Sequence, residues 1–297
     1  MGTIDKKIIE AGVNSSCVGM CQEDKVWSRY SNDKVDIGEQ LAKVIRALHK
    51  ELPLSLPIRA LSIGSSAEPQ FRILETACRG GLYLLDIDKE ALSIIKERIR
   101  RQYTNHVTPI LGDFNRIFLN RDRTDSFLKR KLEGGKVNLI NLHHSLYYSK
   151  ESEWLDIFNN LSTMILAAKG TIHAVLMSSE TEDEYTSTWL YNHFAGKFFG
   201  CHNDQDLNRF GRQLSNEPAF KNARVSIDTH SVRFSVDDFT KFMSVIWMVL
   251  LYPNVHKYTL KQREEITEHV YKKFWLTKKP LIQMQDHLVL YRGIDFR

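Results

Sequence analysis

The feature that most restricts this chain is a fivefold alternation of short apolar runs with helical patterns before residue 178. Arg59–Gly64, Leu82–Asp86, Val107–Leu111, Val137–Leu142 and Thr171–Met177 read as strands buried on both faces. Asp36–Leu52 reads as a helix, with Ile37, Leu41, Val44, Ile45 and Leu48 on one side, Asp36 as its cap and Glu39 in capping-box position. A second helix follows Asp88, with Leu92, Ile95 and Ile99 as its buried stripe, and a polar, basic one covers Arg121–Leu132. Ser149–Ala168 places Trp154, Ile157, Phe158, Leu161 and Ile165 at helical spacing, with Gly170 at its C-terminal cap. Consecutive strand-helix units of this kind demand a parallel, doubly wound sheet, because each crossover is right-handed and each helix must cover a sheet face.

Within that alternation the first two strands end in a manner suited to a nucleotide. The first stops on Gly64, where the missing side chain lets backbone approach a ligand closely. About twenty residues later the second stops on an acid, Asp86, which can accept both hydroxyls of a ribose. The dinucleotide fingerprint G-x-G-x-x-G is absent, because Ser65, Ser66, Ala67, Glu68 and Pro69 follow Gly64, and a pyrophosphate is thereby disfavoured.

Leu61-Ser62-Ile63-Gly64, Leu85-Asp86-Ile87-Asp88, Gly112-Asp113-Phe114 and the Asn141-Leu142-His143-His144 core of Val137–Tyr148 occur in that order. This stretch, roughly residues 55 to 177, resembles the class I S-adenosylmethionine (SAM) methyltransferases of the small-molecule branch. Two positions depart from the family pattern: Ser62 stands where an acid commonly precedes the glycine, and Ser66 where a second glycine commonly follows. The resemblance implies a cofactor set of Tyr30, Ile63, Gly64, Ser65, Ser66, Asp86, Ile87, Asp113, Phe114, Asn141, Leu142 and His143. Asp86 would hold the ribose and Asp113 the adenine, with S-adenosylhomocysteine as the product. His144, Tyr147 and Tyr148, after the fourth strand, are the acceptor-side candidates, with His144 as a general base.

The remaining chain extends that framework. Met1–Asp33 carries Val26, Trp27 and Tyr30 without clear periodicity, so residues 1–35 are expected as an N-terminal lid. By the same resemblance, residues 36–177 are expected as the SAM-binding core. Residues 178–222 are rich in aromatics, including Trp189 and Phe194, and are expected as a helical lid insertion lining an acceptor pocket. Residues 223–297 complete the sheet: Ala223–Phe234 alternates as a strand, helices begin near Ser235 and Thr259, and Gln283–Tyr291 is a last strand. By resemblance that strand enters antiparallel. The expected fold is therefore α/β: a doubly wound, mostly parallel seven-stranded sheet with helices on both faces and an antiparallel last strand.

Composition narrows the partners. With 297 residues, 42% hydrophobic and 26% charged, the chain can bury a sizeable core. A net charge of +5, from 41 basic and 36 acidic side chains spread along the sequence, does not demand an acidic partner. The cluster Lys96, Arg98, Arg100 and Arg101 has no interleaved aromatics and reads as a solvated helix face, so nucleic acid is not expected. Four scattered cysteines suit a reduced, cytoplasmic protein, and Cys17 and Cys21 lack the further ligands of a metal site. No apolar run approaches the roughly 18 residues of a membrane span. The expected function is methyl transfer from SAM to an N or O atom of a small-molecule acceptor, by a monomer or homodimer. An RNA or protein methyltransferase, or a non-catalytic SAM-binding protein of the same fold, are the alternatives.

Overall fold

A computed structural model describes residues 3–17, 20–64, 70–250 and 257–294. In chain order the elements are α1 (Thr3–Asn14), α2 (Met20–Tyr30), α3 (Asp33–Glu51), β1 (Arg59–Ile63), α4 (Gln70–Ala77), β2 (Gly81–Asp86), α5 (Lys89–Gln102) and β3 (Val107–Leu111). There follow α6 (Phe114–Phe118), α7 (Arg121–Lys131), β4 (Val137–His143), α8 (Glu151–Asn160), β5 (Leu166–Met177), α9 (Ser187–Phe199) and α10 (Leu207–Asn216). The chain closes with β6 (Ala223–Phe234), α11 (Phe239–Val249), α12 (Leu260–Val270) and β7 (Leu281–Arg292). The strands form one seven-stranded sheet in the order β3-β2-β1-β4-β5-β7-β6, parallel except for the antiparallel last strand.

Two compact units divide the chain. One comprises Met1–Asp33, Met177–Asp204 and His230–Gln285; the other comprises Lys34–Leu176, Gln205–Thr229 and Asp286–Arg297. In the latter, the strand-helix unit, alternate strand residues feed two cores, as a doubly wound sheet requires. Leu61, Ile63, Leu85, Ile140, Leu142 and Ile172 pack with Trp154, Ile157 and Phe158 of α8 on one face. Ala60, Leu82, Leu84, Leu139 and Val175 pack with Ile37, Leu41, Val44 and Leu48 of α3 on the other.

The helical unit has its own core. Val13 of α1, Trp27 of α2, Phe194 of α9, Trp247 of α11 and Ile266 of α12 share it. The stretch around Trp27 and Tyr30, which showed no clear periodicity in sequence, is thus regular helix. Close approach, more than a long apolar stripe, seats α1. A Cβ at Gly12 would lie 2.8 Å from side chains of both Phe239 and Thr267, and the Trp247 Nε1–H donates to the Gly12 carbonyl at 2.9 Å. The 178–222 segment is helical, and its residues fall in both units.

Some helix boundaries differ from the periodicity reading. Asp88 caps α5, its Oδ1 accepting from the Glu90 amide at 2.8 Å. Asp36 is not a cap, because α3 begins a turn earlier, at Asp33. Gly170 lies inside β5 and not at a helix end: α8 finishes in a π turn over Leu161–Ile165, and β5 has begun by Leu166. The side chains of Cys17 and Cys21 lie outside the described residues. No helix among the described residues is long and apolar enough to cross a membrane.

Candidate active site

Strand order reverses between β1 and β4, and in open α/β sheets the crevice at such a reversal, outside the carboxyl ends of the strands, is where ligands bind. Register brings the tips of four strands into line there. Ile63 pairs with Leu85, Ser62 with Asn141, and Asp86 with Leu111. The next residues continue the lattice: the Gly64 amide donates to the Leu85 carbonyl and the Gly112 amide to the Asp86 carbonyl, each at 2.9 Å. Gly64, Asp86, Gly112-Asp113 and Asn141–His144 thus end four adjacent strands on one side of the sheet.

Gly64 has φ +68°, a conformation that favours glycine, and a Cβ there would meet the Ser145 Cβ at 2.8 Å. The β1 turn and the segment after β4 are consequently in direct contact. Asp86 is half-buried, and its Oδ1 accepts from the Asp88 amide at 2.8 Å. Its second oxygen takes no hydrogen bond among the described residues and can accept from a ligand hydroxyl. Asp113 caps α6: its Oδ1 accepts from the Asn115 amide at 3.0 Å, and Oδ2 is 3.5 Å from the Arg116 guanidinium. The Asn115 amide group donates to the Tyr148 carbonyl at 2.7 Å, tying the β3 tip to the segment after β4.

At the end of β4, Asn141 is fully buried, and neither its carbonyl oxygen nor its amide nitrogen has a hydrogen-bond partner among the described residues. Leaving such a group unpaired costs about 1–3 kcal/mol, so a buried amide at a strand tip marks a place where a ligand can supply the missing bonds. His144 has φ +52°, a left-handed conformation that costs a non-glycine residue about 1–2 kcal/mol. Its amide donates to the Val175 carbonyl at 2.9 Å, and its ring stacks on Tyr147 with centroids 5.9 Å apart. Backbone strain of this kind concentrates at functional sites.

The other candidates separate by orientation. The side chains of Ile63, Phe114 and Leu142 are buried in the core of the α8 face, so any contact they make with a ligand falls to their backbone. Ile87 is 69% exposed and Tyr148 51% exposed. Tyr30 belongs to the helical unit, where Arg29 and Lys241 lie over its ring. Ser65 and Ser66 lie outside the described residues. Within the helical unit Trp189 stacks on His193 at 4.4 Å and on His269 at 5.7 Å. Phe194 is 1% exposed, packing that unit's core in place of lining a pocket, since Leu190 and Phe194 fall on the buried side of α9.

Sequence reasoning placed His143 at the site but missed its partners. His143 Nε2 is 3.1 Å from His173 Nδ1, His173 Nε2 is 3.1 Å from His287 Nδ1, and His287 Nε2 is 2.7 Å from Asp36 Oδ2. Part of the signal was present: His173 interrupts the apolar end of β5, where every residue from Gly170 to Met177 is buried, whereas His287 follows the polar Gln285-Asp286 of β7 and does not stand out.

No family model matches the sequence, and no curated protein matches it in sequence comparison. Solved structures do resemble it. A candidate methyltransferase from Bacillus halodurans C-125 is 11% identical, with a TM-score of 0.51, over 84% of this chain and 99% of that one. The YcgJ protein of Bacillus subtilis is 11% identical, with a TM-score of 0.50, over 80% of this chain and 93% of that one. A candidate sarcosine dimethylglycine methyltransferase from Galdieria sulphuraria is 13% identical, with a TM-score of 0.50, over 87% and 86%. The chain has the α/β fold of the class I SAM-dependent methyltransferases.

Proposed function

We propose that this protein binds SAM across the tips of β1, β2, β3 and β4 and transfers its methyl group to an N or O atom of a small-molecule acceptor. The observation that carries the reading is the set of groups at the strand reversal: the left-handed glycine after β1, the half-committed carboxylate ending β2 and the unpartnered buried amide of Asn141 near the end of β4. The donor set suits the cofactor. Asp86 offers an oxygen to the ribose hydroxyls, Gly64 leaves room for close approach, and Asn141 can both donate to and accept from polar groups.

SAM, when bound, supplies a methyl carbon on a sulfonium leaving group, so the protein is not required to provide a nucleophile. Its residues align the acceptor, exclude water and take a proton from it. His144, held in a strained backbone and stacked on Tyr147, is the proposed base, and Tyr147 and Tyr148 are the proposed positioning groups beside it. A small-molecule acceptor is favoured because the chain outside the strand-helix unit is spent on a compact helical unit with its own apolar core.

Isothermal titration of the protein with SAM tests the reading. Binding in the wild type, weakened in Asp86→Ala by on the order of 1.5–3 kcal/mol, is expected for loss of hydrogen bonds to a carboxylate. Undiminished affinity in that variant would remove the ribose assignment, and no binding in the wild type would remove the proposed function.

A further inference from the structure

The histidine chain lies within the strand-helix unit and is almost wholly buried: His143 and His287 are 1% exposed and His173 0%. We propose that Asp36 acts through His287 and His173 to hold His143 in a single tautomer, making its Nδ1 a hydrogen-bond acceptor at the tip of β4.

With all three rings neutral, the polarity follows from which atoms can donate and which can accept. An ionised carboxylate only accepts, so Asp36 Oδ2 requires a proton on His287 Nε2. A neutral imidazole carries one N–H, so His287 Nδ1 is then a bare acceptor, and the hydrogen at the 3.1 Å contact belongs to His173 Nε2. The same rule leaves His173 Nδ1 bare and puts the next hydrogen on His143 Nε2. His143 Nδ1 is therefore the accepting end of a chain whose direction is set by a carboxylate on α3. Burial, then the neighbouring imidazoles, hold the His173 pKa well below the ordinary histidine value, which keeps the central ring neutral. Orientation of one imidazole by a carboxylate behind it is familiar; here two further rings, His287 and His173, transmit the effect to His143.

A group presented to His143 Nδ1 must accordingly be a donor, an N–H or O–H. The use of His143 by a ligand rests on the methyl-transfer reading, whereas the tautomer does not.

Long-range proton–nitrogen correlation spectra of the ligand-free protein, labelled with nitrogen-15 in histidine, test the inference. In the wild type, His143, His173 and His287 are expected to carry their protons on Nε2 with Nδ1 bare. A protonated Nδ1 on His143 or His173 overturns the proposal. In Asp36→Asn the replacement can offer either its oxygen or its N–H to His287, so the pin is lost. The His143 nitrogen resonances should then move together, towards the average of the two tautomers. Unchanged His143 resonances in the folded variant overturn the coupling. If the variant does not fold, the wild-type spectrum alone decides. Calorimetry separates the two conclusions: a protein that shows the three Nε2–H tautomers yet binds no SAM loses the proposed function and keeps the chain.

Discussion

A Cβ placed on Gly64 would lie 2.8 Å from the Cβ of Ser145, so the turn after β1 and the segment after β4 touch with no room for a methyl group. Gly64→Ala meets two penalties, that contact and a φ of +68°. Together they should lower stability by roughly 1–3 kcal/mol. Adding Ser145→Gly removes the contact and leaves the φ strain, so the double variant should recover part of the loss. Chemical denaturation of the three proteins measures this; full recovery would show that backbone conformation contributes nothing.

Asp113→Ala separates structure from binding. The side chain caps α6, so its loss should cost about 1 kcal/mol of stability even without ligand. Its effect on SAM affinity should be smaller than that of Asp86→Ala, because an adenine amine is a neutral donor. Paired melting and calorimetry on both variants check the ranking, and a larger affinity loss at Asp113 would reverse the two roles.

His144 should respond differently to alanine and glycine. Both replacements remove the imidazole and its stacking on Tyr147, and both should lower turnover by roughly 10²- to 10⁴-fold if it is the base, with SAM affinity nearly intact. Only glycine also relieves the φ of +52°, so the glycine variant should be the more stable by about 1 kcal/mol. Near-normal turnover in either, once an acceptor is known, would assign the ring to packing.

Glu23, in the first turn of α2 and 3% exposed, has its pKa pushed up from 4.5 to about 7 by burial. The folded state therefore holds a proton that the unfolded state has released, and stability falls as pH rises from about 4.5 to about 7. The loss has an upper bound of about 3 kcal/mol at neutral pH. Glu23→Gln should flatten that part of the stability profile in denaturant titrations run across the interval. A variant whose profile keeps the wild-type slope would place the titration elsewhere.

The parallel sheet was legible because strands buried on both faces must be continuously apolar, as Ala60–Ile63 and Leu139–Leu142 nearly are, and because amphipathic stripes such as Trp154, Ile157 and Phe158 must meet them. Gly64 and Asp86 were legible as strand ends since a turn and a carboxylate interrupt those runs. Local chemistry alone dictates such features, as it dictates the capping of α5 by Asp88 and of α12 by Thr259 with Gln262.

What distance along the chain conceals, the tertiary structure decided. Asp36 reads as a helix cap in isolation, yet α3 begins at Asp33 and the carboxylate faces His287, 251 residues away. Phe194 reads equally as pocket lining or core until α9 is seated against the other elements of its unit. The left-handed backbone of His144 has no signature at all, because nothing in a histidine demands it; the surrounding structure imposes it. Periodicity records which side of an element is apolar. The partner that side or a buried polar group meets is set only when all the elements pack at once.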